Sequence, residues 1–253
     1  MGLGKKMKIA MCQIFTLDGD RRGNFVRIEN AVREAKEAGA GLACLPEMAI
    51  LGWVNPDAHK RACPIPGPDS DRLCKLAEQY DICVCVGLAE KDGVHLYDSA
   101  ILMDSGGRIV LKHRKMNLLS ELMSPPYTPG QDMSVVETEY GKIGLLICAY
   151  THENHILQRM AAQKPDLLLV PYGYAATEEE WPGHGKVLEN VVKNAAIQIK
   201  AHVIGTNLVG QITNGPWEGR IYGGHSVAAD KTGKIISIAS DRERDINVVD
   251  VNA

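Results

Sequence analysis

At 253 residues the chain is long enough for one large domain with a well-buried core, or for two small ones. Hydrophobic residues make up 45% and charged residues 23%, and the formal net charge of −3 gives neither nucleic acid nor an anionic membrane surface an electrostatic footing. No apolar run is long enough to span a bilayer and the first residues lack the apolar core of a signal peptide, so a soluble protein is expected.

Lys8 to Ile14 reads as a first buried strand. Asn24 to Ala38 reads as a helix, with Phe25, Ile28, Val32 and Ala35 on one stripe closed by Gly39. Gly41 to Pro46 is a short apolar run that delivers Glu47 at its end, and the Pro- and Gly-rich stretch from Asn55 to Asp69 reads as loop. Arg72 to Gln79 is expected as helix and Ile82 to Ala89 as strand. Cys83-Val84-Cys85 lies inside that strand, read as small core residues with the two thiols expected on opposite sheet faces. Seven cysteines, an odd number without the spacing of a small disulfide scaffold, point to a reducing compartment, with the cytoplasm as the default.

Tyr97 to Met103 and Ile109 to Lys112 alternate as strands on either side of Ser105-Gly106-Gly107, a hairpin signal. Asn117 to Gly130, with three prolines, is irregular. Lys142 to Ile147 is a buried strand leading into Cys148, followed by a helix through Ala162. Asp166 to Val170 is a strand, Val187 to Ala201 a helix and Val203 to Leu208 a strand. Three short strands follow, near His225 to Ala229, Ile235 to Ala239 and Ile246 to Val251. Strands that alternate with helices but also form hairpins predict a layered α/β fold with mixed sheets. No Gly-, Ser- or Pro-rich linker and no repeat divides the chain, so one domain covering residues 1–253 is expected.

Three of these runs end on a reactive side chain: Glu47, Lys115 and Cys148. A thiol at a strand-to-helix turn is exposed at the sheet edge, where backbone N–H groups can stabilise a thiolate or an oxyanion. A carboxylate beside it can take its proton and hand it to a leaving amine. Lys115 follows Lys112, His113 and Arg114, and strand alternation would turn it inward to meet the negative oxygen of a tetrahedral intermediate. Taken singly, each residue also has a plain structural reading, as a buried small residue, a solvated loop acid and a charged strand edge.

Taken together, the segments Leu45-Pro46-Glu47-Met48-Ala49-Ile50-Leu51-Gly52-Trp53, His113-Arg114-Lys115-Met116-Asn117-Leu118 and Gly144-Leu145-Leu146-Ile147-Cys148 resemble the signature blocks of the nitrilase superfamily of carbon–nitrogen hydrolases. Tyr127-Thr128-Pro129-Gly130, Asp166 to Pro171, Gly205-Thr206-Asn207, Gly224-His225-Ser226 and Asp230-Lys231-Thr232-Gly233 fit the same pattern, so the resemblance runs from about Met7 to the end. It implies a four-layer α-β-β-α sandwich with two mixed sheets, assembled as a homodimer or higher even oligomer through the helix after the cysteine. It also implies Cys148 as nucleophile, Glu47 as base then acid, Lys115 as the oxyanion's partner beside a backbone N–H, and Glu121 as a further acid orienting the lysine. The implied reaction is hydrolysis of a small amide or N-carbamoyl compound by water, amide-type branches being favoured over nitrile hydrolysis. No metal or organic cofactor is implied, nor a nucleic-acid or membrane partner.

The sequence departs from the pattern after the nucleophile, where Ala149 to His155 replaces the usual segment and His152 stands in place of an arginine that binds a substrate carboxylate in some relatives. That departure leaves a catalytically silent binding or scaffold protein as a rival reading. Tyr150 and Tyr172, just past strand ends, are candidate substrate contacts, against packing as the plainer role. His152, Glu153 and His155 lack a third metal ligand at suitable spacing, so metal binding is set aside.

Overall fold

Alternation along the first strand, β1 (Lys6–Gln13), sets the layering: Ile9 and Met11 pack into one apolar cluster, Ala10 and Cys12 into another. The structure is a computed structural model that describes residues 6–116, 118, 123–148, 153–181 and 183–252. After β1 come α1 (Arg21–Glu37), β2 (Leu42–Cys44), the short α2 (Ala58–Arg61), α3 (Pro68–Tyr80), β3 (Cys83–Asp92), β4 (His95–Met103) and β5 (Ile109–Arg114). The second half contains β6 (Val135–Thr138), β7 (Gly141–Leu145), α4 (Asn154–Gln163), β8 (Leu167–Pro171), β9 (Ala175–Ala176), α5 (Gly183–Ile199) and β10 (His202–Thr206). It closes with β11 (Val209–Gln211), β12 (Ile221–Gly223), β13 (Val227–Ala229), β14 (Ile235–Ile238) and β15 (Asp245–Asn252).

One six-stranded sheet has the order β15-β1-β2-β3-β4-β5 and the other β14-β13-β10-β8-β7-β6. Each has a parallel centre, β1-β2-β3 and β10-β8-β7, flanked by antiparallel strands, so both sheets are mixed as expected. The inner faces meet through Ile9, Met11, Leu42, Cys85, Leu145 and Leu169. On the outside of the first sheet, α1 lays down Phe25, Ile28, Ala31, Val32 and Ala35, and α3 adds Leu73 and Ala77. On the outside of the second, Met160 of α4 lies over Gly144, and α5 contributes Leu188, Val192 and Ala195. These are the four layers, α-β-β-α.

Several boundaries move for local reasons. Helix α1 begins at Arg21 because the Asp20 carboxylate accepts from the Gly23 N–H. Helix α3 begins at Pro68, inside the expected loop, because proline suits a first helical position and the Ser70 hydroxyl caps Gly67 N–H. Cys83 and Cys85 both face the inter-sheet cluster, while Val84 faces the helices. Residues two apart in a strand share a face, which corrects the expectation of opposed thiols. The small sheet β11-β12-β9 was not anticipated, since strands of two or three residues carry no readable periodicity. Among the described residues no helix is long and apolar enough to cross a membrane.

Candidate active site

Strands β2, β3 and β5 run in one direction, because β4 pairs antiparallel with both β3 and β5. Glu47 and Lys115 therefore emerge together at the carboxyl edge of the first sheet. In the second sheet β7 and β8 are parallel and lead, within three residues of their ends, to Cys148 and to Gly173. Stacking the sheets brings these two edges together, the customary place for a site in a fold with parallel strands.

Glu47 is seated by backbone contacts from three directions. Leu45 N–H donates to Cys85 O, Gly87 N–H to Pro46 O, and Glu47 N–H to Tyr172 O. A Cβ on Gly87 would lie 2.5 Å from Glu47 Cα, so only glycine lets β3 pass this closely beneath the acid. Alternation along β5 buries Leu111 and His113, leaves Lys112 exposed, and carries Lys115 inward. The chain holds that register past the strand end, as Lys115 N–H donates to Asp98 O at 2.8 Å. Cys148 adopts φ +45°, a conformation that costs a non-glycine residue energy and is often kept where a side chain must be aimed.

The side chains converge in a buried setting. Glu47 is 0% exposed, Lys115 4% and Cys148 5%. Lys115 Nζ donates to Glu47 Oε1 at 2.5 Å and to Asp98 Oδ2 at 3.2 Å. Burial alone would favour a neutral Lys115, but the charges of Asp98, Glu47 and Cys148 outweigh it and hold the ammonium firmly protonated. Burial pushes the Cys148 thiol well above its ordinary value; the Glu47 charge adds to this, while Lys115 and the Gly173 N–H pull the other way. The resting sulfur is thus a thiol, with a base, a cation and a backbone donor around it.

A cavity of about 220 Å³ opens onto the sulfur. Lys115, Cys148 and Gly173 form its floor, and Trp53, Tyr174, His184, Trp217 and Arg220 line its walls. Trp53 and Trp217 meet edge to face at 5.0 Å, Arg220 lies over Trp217 at 4.0 Å, and Tyr174 stacks on His184 at 4.0 Å. Burial, with the nearby Cys148, pushes the Tyr174 hydroxyl up to about 12.

Of the residues singled out from the sequence, Glu47, Lys115 and Cys148 are brought together. Tyr172 is not a wall of this cavity: its ring is wholly buried in the core, and it offers Glu47 its carbonyl oxygen instead. The tyrosine on the wall is Tyr174, two residues on, because strand alternation has by then given way to a loop. Glu121, Tyr150 and His152 lie outside the described residues. His155 is exposed with its Nδ1 3.7 Å from Glu153, and among the described residues no cluster suits a metal ion. Sequence reasoning passed over Asp98, although an acid within an alternating apolar strand is itself a signal, and over Trp217 and Arg220, which lie in a loop without periodicity.

A family model described as carbon–nitrogen hydrolase matches residues 8–253. Among curated proteins, a bifunctional nitrilase/nitrile hydratase of Nicotiana tabacum is 30% identical over 162 residues, which cover 56% of this chain and 46% of that protein. The match thus spans about half of the tobacco protein's length. An omega-amidase of Mus musculus is 25% identical over 249 residues, 94% of this chain and 85% of that protein. Among solved structures, an amidase from Nesterenkonia sp. superposes with a TM-score of 0.84 at 23% identity, covering 100% of this chain and 92% of that one. A mutant of the same amidase, with the acetamide moiety of fluoroacetamide added covalently to its active-site cysteine, gives 0.83 at 23% identity over 100% of this chain and 94% of that one. At such identity the superposition establishes the shared fold.

Proposed function

This chain belongs to the carbon–nitrogen hydrolase family, and on that premise we propose that it hydrolyses small amides or N-carbamoyl compounds through a thioester on Cys148. The observation that carries this reading is the buried contact of Lys115 with Glu47 at 2.5 Å beside the Cys148 thiol. Amides are poor electrophiles, and a covalent route divides one hard step into two.

Glu47 takes the thiol proton as the sulfur attacks the carbonyl carbon, so no free thiolate has to persist in a site that disfavours it. Negative charge then develops on the carbonyl oxygen, and the Lys115 ammonium and Gly173 N–H border the space it would occupy. The C–N bond breaks as Glu47 returns the proton to the departing nitrogen. Water enters, loses its proton to the same Glu47 and attacks the thioester carbon. Sulfur leaves, recovers its proton from Glu47, and a carboxylic acid is released. The sum is amide plus water giving acid plus amine or ammonia.

The cavity is smaller than the roughly 300–1,000 Å³ of typical drug-sized sites, which favours a compact substrate. The residues assigned to the reaction are Glu47, Lys115 and Cys148, within one carbon–nitrogen hydrolase domain over 1–253. Assembly as a homodimer or higher even oligomer draws support from Val187 and Ile197, exposed apolar residues on α5 beside α4. A reducing, cytoplasmic setting is part of this proposal, resting on seven cysteines, an odd number without the spacing of a disulfide scaffold.

The test is an ammonia-release screen over aliphatic amides, ω-amides, carbamoylated amines and nitriles, with Cys148→Ala as blank. Release from at least one amide class, absent in the blank, is expected. Release from nitriles alone would move the reading to nitrile hydrolysis, and no release from any class would favour a binding protein.

A further inference from the structure

Two carboxyl groups share one ammonium in the floor of the site. Lys115 Nζ donates to both Glu47 Oε1 and Asp98 Oδ2, and Asp98 is only 1% exposed. With both acids ionised, the trio would bury a net negative charge that no other cation among the described residues is shown to offset, and uncompensated buried charge is costly. One proton relieves it. Glu47 makes the closer contact with Lys115, 2.5 Å against 3.2 Å for Asp98, while each acid keeps a second buried oxygen, Glu47 Oε2 and Asp98 Oδ1, that the lysine does not reach.

We propose that Asp98 is a positioning residue that works as the neutral acid, its Oδ2 accepting from Lys115, so that the negative charge paired with Lys115 beside Cys148 sits on Glu47. The proposal rests on the thiol-amidase reading of the site. The groups that face Asp98 agree with it. Lys115 follows β5, Glu47 follows β2, the buried Tyr127 hydroxyl comes from the loop before β6, and β3 presents apolar Ala89 opposite Asp98. Burial favours a proton on Asp98, Lys115 opposes it, and Glu47 favours it through both charge and hydrogen bonding.

The arrangement has a chemical consequence. When Glu47 takes the thiol proton it becomes neutral, and Lys115 is left without an anionic partner. An ionised Asp98 would then compete with the substrate's oxyanion for Lys115; a neutral Asp98 leaves the ammonium's charge to the oxyanion while still fixing its position. Backbone pairing of Lys115 N–H with Asp98 O locks the two residues in register, so this support does not depend on a mobile loop.

Two measurements test the proposal together. In protein labelled with carbon-13 at the aspartate carboxyl carbons, the resonance lost in Asp98→Asn is expected at the protonated position at pH 7; finding it at the ionised position overturns the proposal. In amide turnover, Asp98→Asn, neutral and similar in shape, is expected within about 3-fold of wild type, and Asp98→Ala to lose about 100-fold in kcat with little change in KM. A 100-fold loss in a folded Asp98→Asn, or an Asp98→Ala as active as wild type, would overturn it. Absence of amide turnover in the wild type would instead sink the thiol-amidase reading, while the carbon-13 spectrum would still report where the proton sits.

Discussion

At the scale of single residues, the proposed reaction depends on a thiol that is protonated at rest yet reactive. Burial raises Cys148, so its reactivity must come from Glu47 taking the proton as the sulfur attacks. Iodoacetamide, itself a small amide, is therefore expected to alkylate one thiol rapidly near neutral pH, with that fast phase absent in Cys148→Ala and slowed in Glu47→Gln. Uniformly slow labelling of all seven cysteines would point to the silent, scaffold-like alternative. Cys148→Ser and Lys115→Ala are each expected to lower kcat by on the order of 10³-fold or more, Cys148→Ser with the thermal transition retained and Lys115→Ala folded with a lowered one, since Glu47 loses its buried partner. Substantial ammonia release by either would show that the reaction centre has been misplaced. These three residues were legible in the sequence because each ends an apolar run. Asp98 was visible as an acid within an apolar strand, but its role was not, because that comes from a partner on the neighbouring strand, and pairing register cannot be read from one chain segment.

At the scale of elements, β5 has to present Lys115 at a fixed depth, and a buried acid on β3 anchors it. Glu90 is 1% exposed and accepts from Lys112, from both Arg114 Nε and Nη2, and from the Ser99 hydroxyl. Burial opposes its ionisation, but Arg114, Lys112 and Ser99 prevail and hold its carboxyl below the ordinary value. A lowered folded-state pKa means stability that is present above the unfolded value and lost as pH falls through the folded one. Glu90→Gln should therefore lower the thermal transition at pH 7 and narrow the gap to wild type in acid; an unchanged transition at pH 7 would show that the network is dispensable. His113, on β5, also loses stability in acid, but because the fold holds it neutral rather than charged. Burial depresses it to about 4, so the fold keeps it neutral while the unfolded chain takes up a proton below about 6.5. Its share of stability falls between these values, by roughly 3 kcal/mol in full. Denaturation curves at pH 7 and pH 4.5 should show a smaller acid loss for His113→Gln, and an equal loss would exclude this cause. The long strands and helices were legible because each carries its own apolar period. The half-exposed β6 and the Gly-containing first turn of α5 were not, because solvated or glycine-rich residues lack that pattern.

At the scale of the whole molecule, the site exists only because two mixed sheets are stacked with their carboxyl edges together. Neither half holds a complete set: Glu47 and Lys115 belong to the first sheet, Cys148 and Gly173 to the second. The exposed Val187 and Ile197 on α5 are the basis for expecting assembly, with sedimentation equilibrium giving at least twice the 27.6 kDa chain mass and Ile197→Asp shifting it toward the monomer. A monomeric wild type at micromolar concentration would contradict that assembly. The most direct test of the central claim, that one acid, one cation and one sulfur act as a single covalent site, mixes the wild type rapidly with an activated short-chain ester, followed by acid quenching and peptide mass mapping within the first turnover. One acyl group per chain is expected, on the peptide that carries Cys148, and forming more slowly in Glu47→Gln. Acyl groups on any other cysteine, or none at all while the wild type turns over amides, would contradict a single covalent site at Cys148.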